Sequence, residues 1–114
     1  MMKKISLLVL LAAALPGLSI AQNAENGKRL FVRDGCYQCH GYAGQGGIAG
    51  ARLAPPVLTA QAITRYIRRP AGAMPGFSDK VLSDQEVADI YAYLKTIPAP
   101  KPVKDIPILN QLRN

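Results

Sequence analysis

The sequence predicts an all-α fold, a few short helices joined by loops. Three observations lead there. Apolar residues recur at helical spacing in three segments, no segment alternates apolar and polar residues as a half-buried strand would, and Gly and Pro punctuate the stretches between. The chain also concentrates its chemistry in one place. Both cysteines and the only histidine fall in a single run, Cys36-Tyr37-Gln38-Cys39-His40.

A C-x-x-C-H run reads as an attachment site for a c-type haem. Two thiols at that spacing reach the two vinyl groups on one edge of the porphyrin and form thioethers. The next residue sets its imidazole beneath the iron as the proximal ligand. Other readings fit less well. A structural zinc site takes about four ligands, and this run supplies two thiolates and one imidazole. A thioredoxin-like pair belongs beside a βαβ pattern, which is missing here. A disulfide between Cys36 and Cys39 would give His40 no role.

The N-terminus has the shape of an export signal. Lys3 and Lys4 form a short positive region, Ile5 to Leu15 is an apolar run, and Ser19-Ile20-Ala21 supplies small residues for cleavage. Cleavage is expected after Ala21, so that residues 1–21 leave and the mature chain starts at Gln22. An uncleaved membrane anchor is disfavoured, because the run is short against the ~20 residues a spanning helix takes and is broken by Pro16-Gly17. Loss of Lys3 and Lys4 lowers the formal charge from +7 to +5. What remains is one small domain, residues 22–97, followed by a Pro-rich tail, residues 98–114. A covalent haem adds a large apolar body to a core that is otherwise thin for this length.

Within the domain, residues 24–33 read as the first helix, with Asn23 as N-cap, Glu25 in the first turn and Gly35 as the stop. Leu30 and Phe31 form its apolar face, with Gly27 on the same side. Residues 41–56 read as a Gly-rich loop with a Pro55-Pro56 exit. No G-x-G-x-x-G after a strand accompanies it, so a tight path around a flat cofactor explains it better than phosphate binding. A second helix is expected over residues 60–69, capped by Thr59 and stopped by Pro70, with Ile63, Tyr66 and Ile67 on one side. Ser83-Asp84-Gln85-Glu86 is a capping box that opens a helix bearing Val87, Ile90, Tyr91 and Leu94 and ending near Thr96. Beyond it, Pro98, Pro100, Pro102 and Pro107 predict an extended tail without regular structure. Ile106, Ile108, Leu109 and Leu112 give that tail an apolar character, for folding back or for docking on a partner.

Once the signal is removed, Met74 is the only methionine. Its thioether is a soft ligand that favours ferrous iron, and His/Met ligation raises the potential of a haem. Met74 could instead fill a gap in the core. Against that, it sits in a Gly/Pro-rich loop, and no second histidine exists to take the sixth position.

The run C-Y-Q-C-H-G, the Met74-Pro75 loop and a C-terminal helix with Ile90, Tyr93 and Leu94 together resemble the class I cytochrome c family, over Gln22 to Ile97. The resemblance implies three to five helices around one covalent haem whose cysteine-bearing edge is partly exposed. It also implies that Gly27 and Phe31 on the first helix pack against Ile90 and Tyr93 on the last. Members of the family often place a proline in the loop after the haem motif, in the stretch whose carbonyl orients the proximal imidazole. Here that place is Ala51, before Arg52-Leu53, so the group that fixes the His40 ring stays open. More narrowly, the chain is similar to small periplasmic monohaem cytochromes that serve dehydrogenases. Haem is joined to such proteins outside the bacterial cytoplasm, in agreement with export.

With both axial positions filled, such an iron changes charge without binding substrate, the behaviour of an electron carrier rather than an enzyme. Arg52, and after it Arg65, Arg68 and Arg69, are candidates to pair with haem propionates, or else solvated surface charges. Tyr42 and Tyr66 could donate hydrogen bonds to the propionates too, with core packing as the default expectation. The net positive charge points to acidic redox partners such as a periplasmic dehydrogenase or a terminal oxidase. It does not point to nucleic acid in an exported haem protein. Two other readings remain at this point. One is a permanently bound electron-relay subunit; the other is an open-site sensor or small-ligand enzyme, which requires that Met74 does not bind.

Overall fold

The computed structural model describes residues 21–112. The expected export signal, apart from Ala21, lies outside the described residues. Among the described residues five α-helices follow one another: α1 (Ala24–Arg33), α2 (Cys36–His40), α3 (Ala60–Arg68), α4 (Asp84–Thr96) and α5 (Pro107–Gln111), with a 3-10 turn at Val103–Asp105 before α5. Among the described residues no strand forms and no helix is long and apolar enough to cross a membrane.

The helix starts are fixed by side chains. Asn23 accepts a hydrogen bond from the Asn26 amide, Thr59 from the Ala62 amide and Ser83 from the Glu86 amide. Glu86 returns the last bond to the Ser83 amide at 2.8 Å. Each cap satisfies an N–H that the helix itself leaves unpaired. At the far end of α1, Arg33 pairs with Asp34 at 2.7 Å and with Glu86 of α4 at 3.3 Å. These are exposed contacts of small energetic weight.

α1 and α4 cross to form the core. Leu30 and Phe31 of α1 meet Val87, Ile90 and Leu94 of α4, together with Leu82 and Ala54, and all seven are buried. Each large apolar side chain so buried contributes roughly 1.5–3 kcal/mol. The crossing is close because Gly27 has no side chain. A Cβ there would overlap the Asp89 carbonyl and come within 2.7 Å of the Ile90 nitrogen. Next to it, the Phe31 and Tyr93 rings lie 5.7 Å apart, tilted at 59°. The four residues expected to join the first and last helices do so.

Asp89 is the buried charge of this core. Its carboxylate accepts from the Asn23 amide at 2.8 Å, Asn26 Nδ2 at 2.8 Å and Gln85 Nε2 at 3.0 Å. Burial pushes the carboxyl up, and the bonds from Asn26, Asn23 and Gln85 together more than offset it, holding it below its ordinary value.

The tail departs from the expectation. Its prolines do not forbid regular structure: Pro107 occupies the first turn of α5, where its fixed φ suits a helix and its missing N–H costs nothing. The 3-10 turn and α5 touch each other and none of α1–α4.

Candidate functional site

The C-x-x-C-H run is itself a helix, α2, which the sequence pattern did not reveal. Five residues are too few for an apolar period. Gly35, in the left-handed region at φ 74°, redirects the chain from the end of α1 into α2, and Gly41 closes it. On one helical turn Cys36, Cys39 and His40 share a side, since residues three and four apart are neighbours. Cys36 is half-buried and Cys39 is exposed. Burial, and after it the nearby Asp34 carboxylate, pushes the Cys36 thiol up to about 11. A position that disfavours a thiolate suits a neutral thioether sulfur.

His40 is held from its far side. Its Nδ1 lies 2.7 Å from the Ala51 carbonyl oxygen. A carbonyl only accepts, so Nδ1 carries the proton and donates, leaving the Nε2 lone pair free for a metal. The loop that brings Ala51 there is built on backbone bonds. Gly46 N–H donates to His40 O at 2.8 Å, Gly47 N–H to Gly50 O at 2.9 Å, and the Leu53 and Ala54 amides to Gly44 O at 2.7 and 3.0 Å. Gly50 lets this loop run against α2. A Cβ at Gly50 would stand 2.8 Å from Cys39 O and 3.0 Å from His40 Nδ1. The family resemblance pointed to the stretch at Ala51 but left open which group fixes the ring; here the Ala51 carbonyl does so.

Arg52 is exposed and sits on the rim of a hollow lined by Leu53, Pro56, Val57, Leu58 and Ile63. Val57 is 95 % and Leu58 53 % exposed. Apolar surface with one cation at its edge fits a flat macrocycle that carries acidic groups on one margin. Met74 lies in the loop between α3 and α4, half-buried, and is not among the partly buried side chains that pack against the core. The two thiols and the oriented imidazole on one helix therefore fit haem.

The other candidates divide. Arg65 and Arg69 are exposed. Arg68 donates to Phe77 O and Asp84. Neither Tyr42 nor Tyr66 packs in the core as expected; they are 68 % and 49 % exposed. The Tyr42 ring instead stacks on Tyr37 at the surface, with centroids 4.5 Å apart, and its carbonyl accepts from the Tyr93 hydroxyl at 3.1 Å.

Comparison with known proteins points to the same cofactor class. Residues 22–94 match the family described as cytochrome c oxidase, cbb3-type, subunit III. The chain is 30 % identical over 101 residues to cytochrome c-555 of Methylococcus capsulatus, covering 81 % of this chain and 82 % of the relative. It is 38 % identical over 77 residues to the cytochrome bc1 complex cytochrome c subunit of Corynebacterium diphtheriae, covering 65 % of this chain. The chain spans only 27 % of that second relative's length. No solved structure gives a significant match. The chain belongs to the class I cytochrome c family and is an electron carrier with covalently held haem c, not an enzyme.

Proposed function

We propose that the chain carries one electron at a time between exported redox partners, through a single haem joined to Cys36 and Cys39 and ligated by His40 and Met74. The observation that carries this reading is the 2.7 Å contact of His40 Nδ1 with Ala51 O, which frees Nε2 and fixes the ring. Haem so held supplies an iron that gains or loses one electron without exchanging ligands. Around it, Cys36 and Cys39 anchor one edge, and Ala51 holds the imidazole. Arg52 offers a cation to a propionate at the rim, and the hollow from Leu53 to Ile63 offers apolar side chains to the ring. Export to the periplasm follows from the signal-like residues 1–21, and the mature charge of +5 favours acidic partners.

A second reading, a permanently bound relay subunit, is favoured by one observation. The tail builds its own 3-10 turn and helix away from α1–α4 and exposes Val103, Ile108 and Leu112. The name of the Corynebacterium relative, a subunit of a cytochrome complex, is in keeping with it.

An optical spectrum of the exported protein, oxidised and reduced, tests the ligation. A low-spin spectrum with the weak far-red band of ferric iron–thioether bonding, lost in Met74→Ala, supports the His40/Met74 carrier. A high-spin spectrum that shifts on adding CO would instead put the open-site sensor or enzyme first.

A further inference from the structure

The loop that carries Met74 is fastened at its base. On the return limb, the Phe77 amide donates to Ile67 O at 3.0 Å, and Arg68 Nη1 donates to Phe77 O at 3.0 Å. On the outgoing limb, the Ala71 amide approaches the Tyr66 hydroxyl at 3.4 Å. The two limbs run side by side there, since a Cβ on Gly76 would touch Pro70 Cδ at 3.4 Å and Arg68 O at 3.5 Å. The other arm of the Arg68 guanidinium, Nη2, reaches the Asp84 carboxylate at 2.5 Å. One side chain thus ties together the last turn of α3, the limb that follows Met74 and the first turn of α4.

Arg68 is not a loose surface charge. Its side chain is 22 % exposed against 77 % for Asp84. A guanidinium is a rigid planar fork whose two arms fix direction as well as distance, and a charged donor on a carbonyl makes one of the stronger kinds of hydrogen bond. The bond to Phe77 O bears on the chain three residues beyond the thioether, with only Pro75 and Gly76 between.

We propose that Arg68 is the positioning residue for Met74, holding the loop base shut so that the thioether stays on the iron. This rests on the reading of Met74 as axial ligand. A thioether is neutral and a weak donor, so its bond depends on the loop presenting it at short range. A ligand from solution binds only the open-loop population, and its apparent affinity scales with that fraction. Loss of a hydrogen bond to a charged group changes such a population by about tenfold or more.

The test is an imidazole titration of the ferric holoprotein, followed by the far-red band, with thermal unfolding measured on the same samples. Arg68→Ala is expected to bind imidazole about tenfold more tightly than the parent. Arg68→Lys, which keeps the charge and one donor arm, falls between the two, and serves if the alanine variant does not accumulate. Asp84→Asn cuts only the α4 arm and leaves imidazole affinity close to the parent's. If Arg68→Ala lowers the unfolding midpoint but leaves imidazole affinity unchanged, or if Asp84→Asn matches its effect on affinity, Arg68 is a tie between helices and the proposal is wrong. A parent protein without the far-red band removes Met74 from the iron, and the proposal with it.

Discussion

His40 and Ala51 are joined by a 2.7 Å hydrogen bond from imidazole Nδ1 to a backbone carbonyl eleven residues later. The bond sets the tautomer and the plane of the ring at once, and it makes Nε2 a stronger donor to a metal. Because the acceptor is main chain, no substitution at Ala51 itself deletes it. The residue that controls it is Gly50.

A side chain at Gly50 would press on Cys39 O and His40 Nδ1 and push the loop off α2. Gly50→Val should therefore lengthen the His40–Ala51 bond and weaken the imidazole as a donor. Ferric iron gains more from a strong donor than ferrous iron does, so the reduction potential should rise. A tenfold loss of that preference equals about 60 mV for one electron. A redox titration that returns the parent potential would mean that the bond does not tune the iron.

Gly27 and Asp89 pose a packing problem of the same kind between helices. Gly27→Ala drives a methyl into the Asp89 carbonyl, and α1 and α4 have to separate. Overpacking of this sort costs about 1–3 kcal/mol. For a domain of this size that means a drop in Tm of about 4–8 °C per kcal/mol. Calorimetry reads it directly. An unchanged Tm would show that the helix crossing tolerates a wider spacing than its backbone contact implies.

Asp89 makes the fold acid-sensitive. Its carboxyl is held below the ordinary value, so the folded state favours the ionised form more than the unfolded chain does. That contribution is complete above the unfolded carboxylate pKa of about 4 and is lost as pH falls through the lower folded value. Denaturant unfolding from pH 7 to pH 2 should show a plateau and then an acid limb. Asp89→Asn should lower the plateau by about 1.5–3 kcal/mol, the range for hydrogen bonds to a charged group, and flatten the limb. If the limb keeps its slope in the variant, other carboxylates cause it. Glu86, also held low, first by the Ser83 amide, would be the next to change.

What the sequence made legible was local. The caps Asn23, Thr59 and Ser83 mark helix starts because each bonds to an amide three residues on, within reach of a local sequence pattern. The C-x-x-C-H run named its cofactor because thiol spacing and imidazole follow the porphyrin edge. Less legible were contacts made across the chain. Asp89 finds Asn23 and Asn26 more than sixty residues away, and nothing in its neighbours Ala88 and Ile90 announces them. Arg68 looked like any other member of the basic cluster formed with Arg65 and Arg69. Its distinction is a carbonyl nine residues on and a carboxylate sixteen on. The Pro-rich tail misled in the opposite direction, since one proline that looked like a breaker stands where a helix begins.

Removal of the tail separates the two forms of the carrier. The 3-10 turn and α5 are held to each other, by Asn110 Nδ2 donating to Lys104 O at 2.8 Å, and lend nothing to the α1–α4 core. A chain ending after Ile97 should therefore unfold within about 0.5 kcal/mol of the full protein and keep its spectrum and potential. A tail unneeded for folding, with Val103, Ile108 and Leu112 turned outward beside Lys101 and Lys104, has the composition of a docking segment. If the chain is a fixed subunit, truncation should abolish co-purification with its redox partner. Electron exchange with small soluble reagents should stay intact. If both survive truncation, the contact with the partner is made by the domain, and the short-lived encounters of a free shuttle describe the protein better.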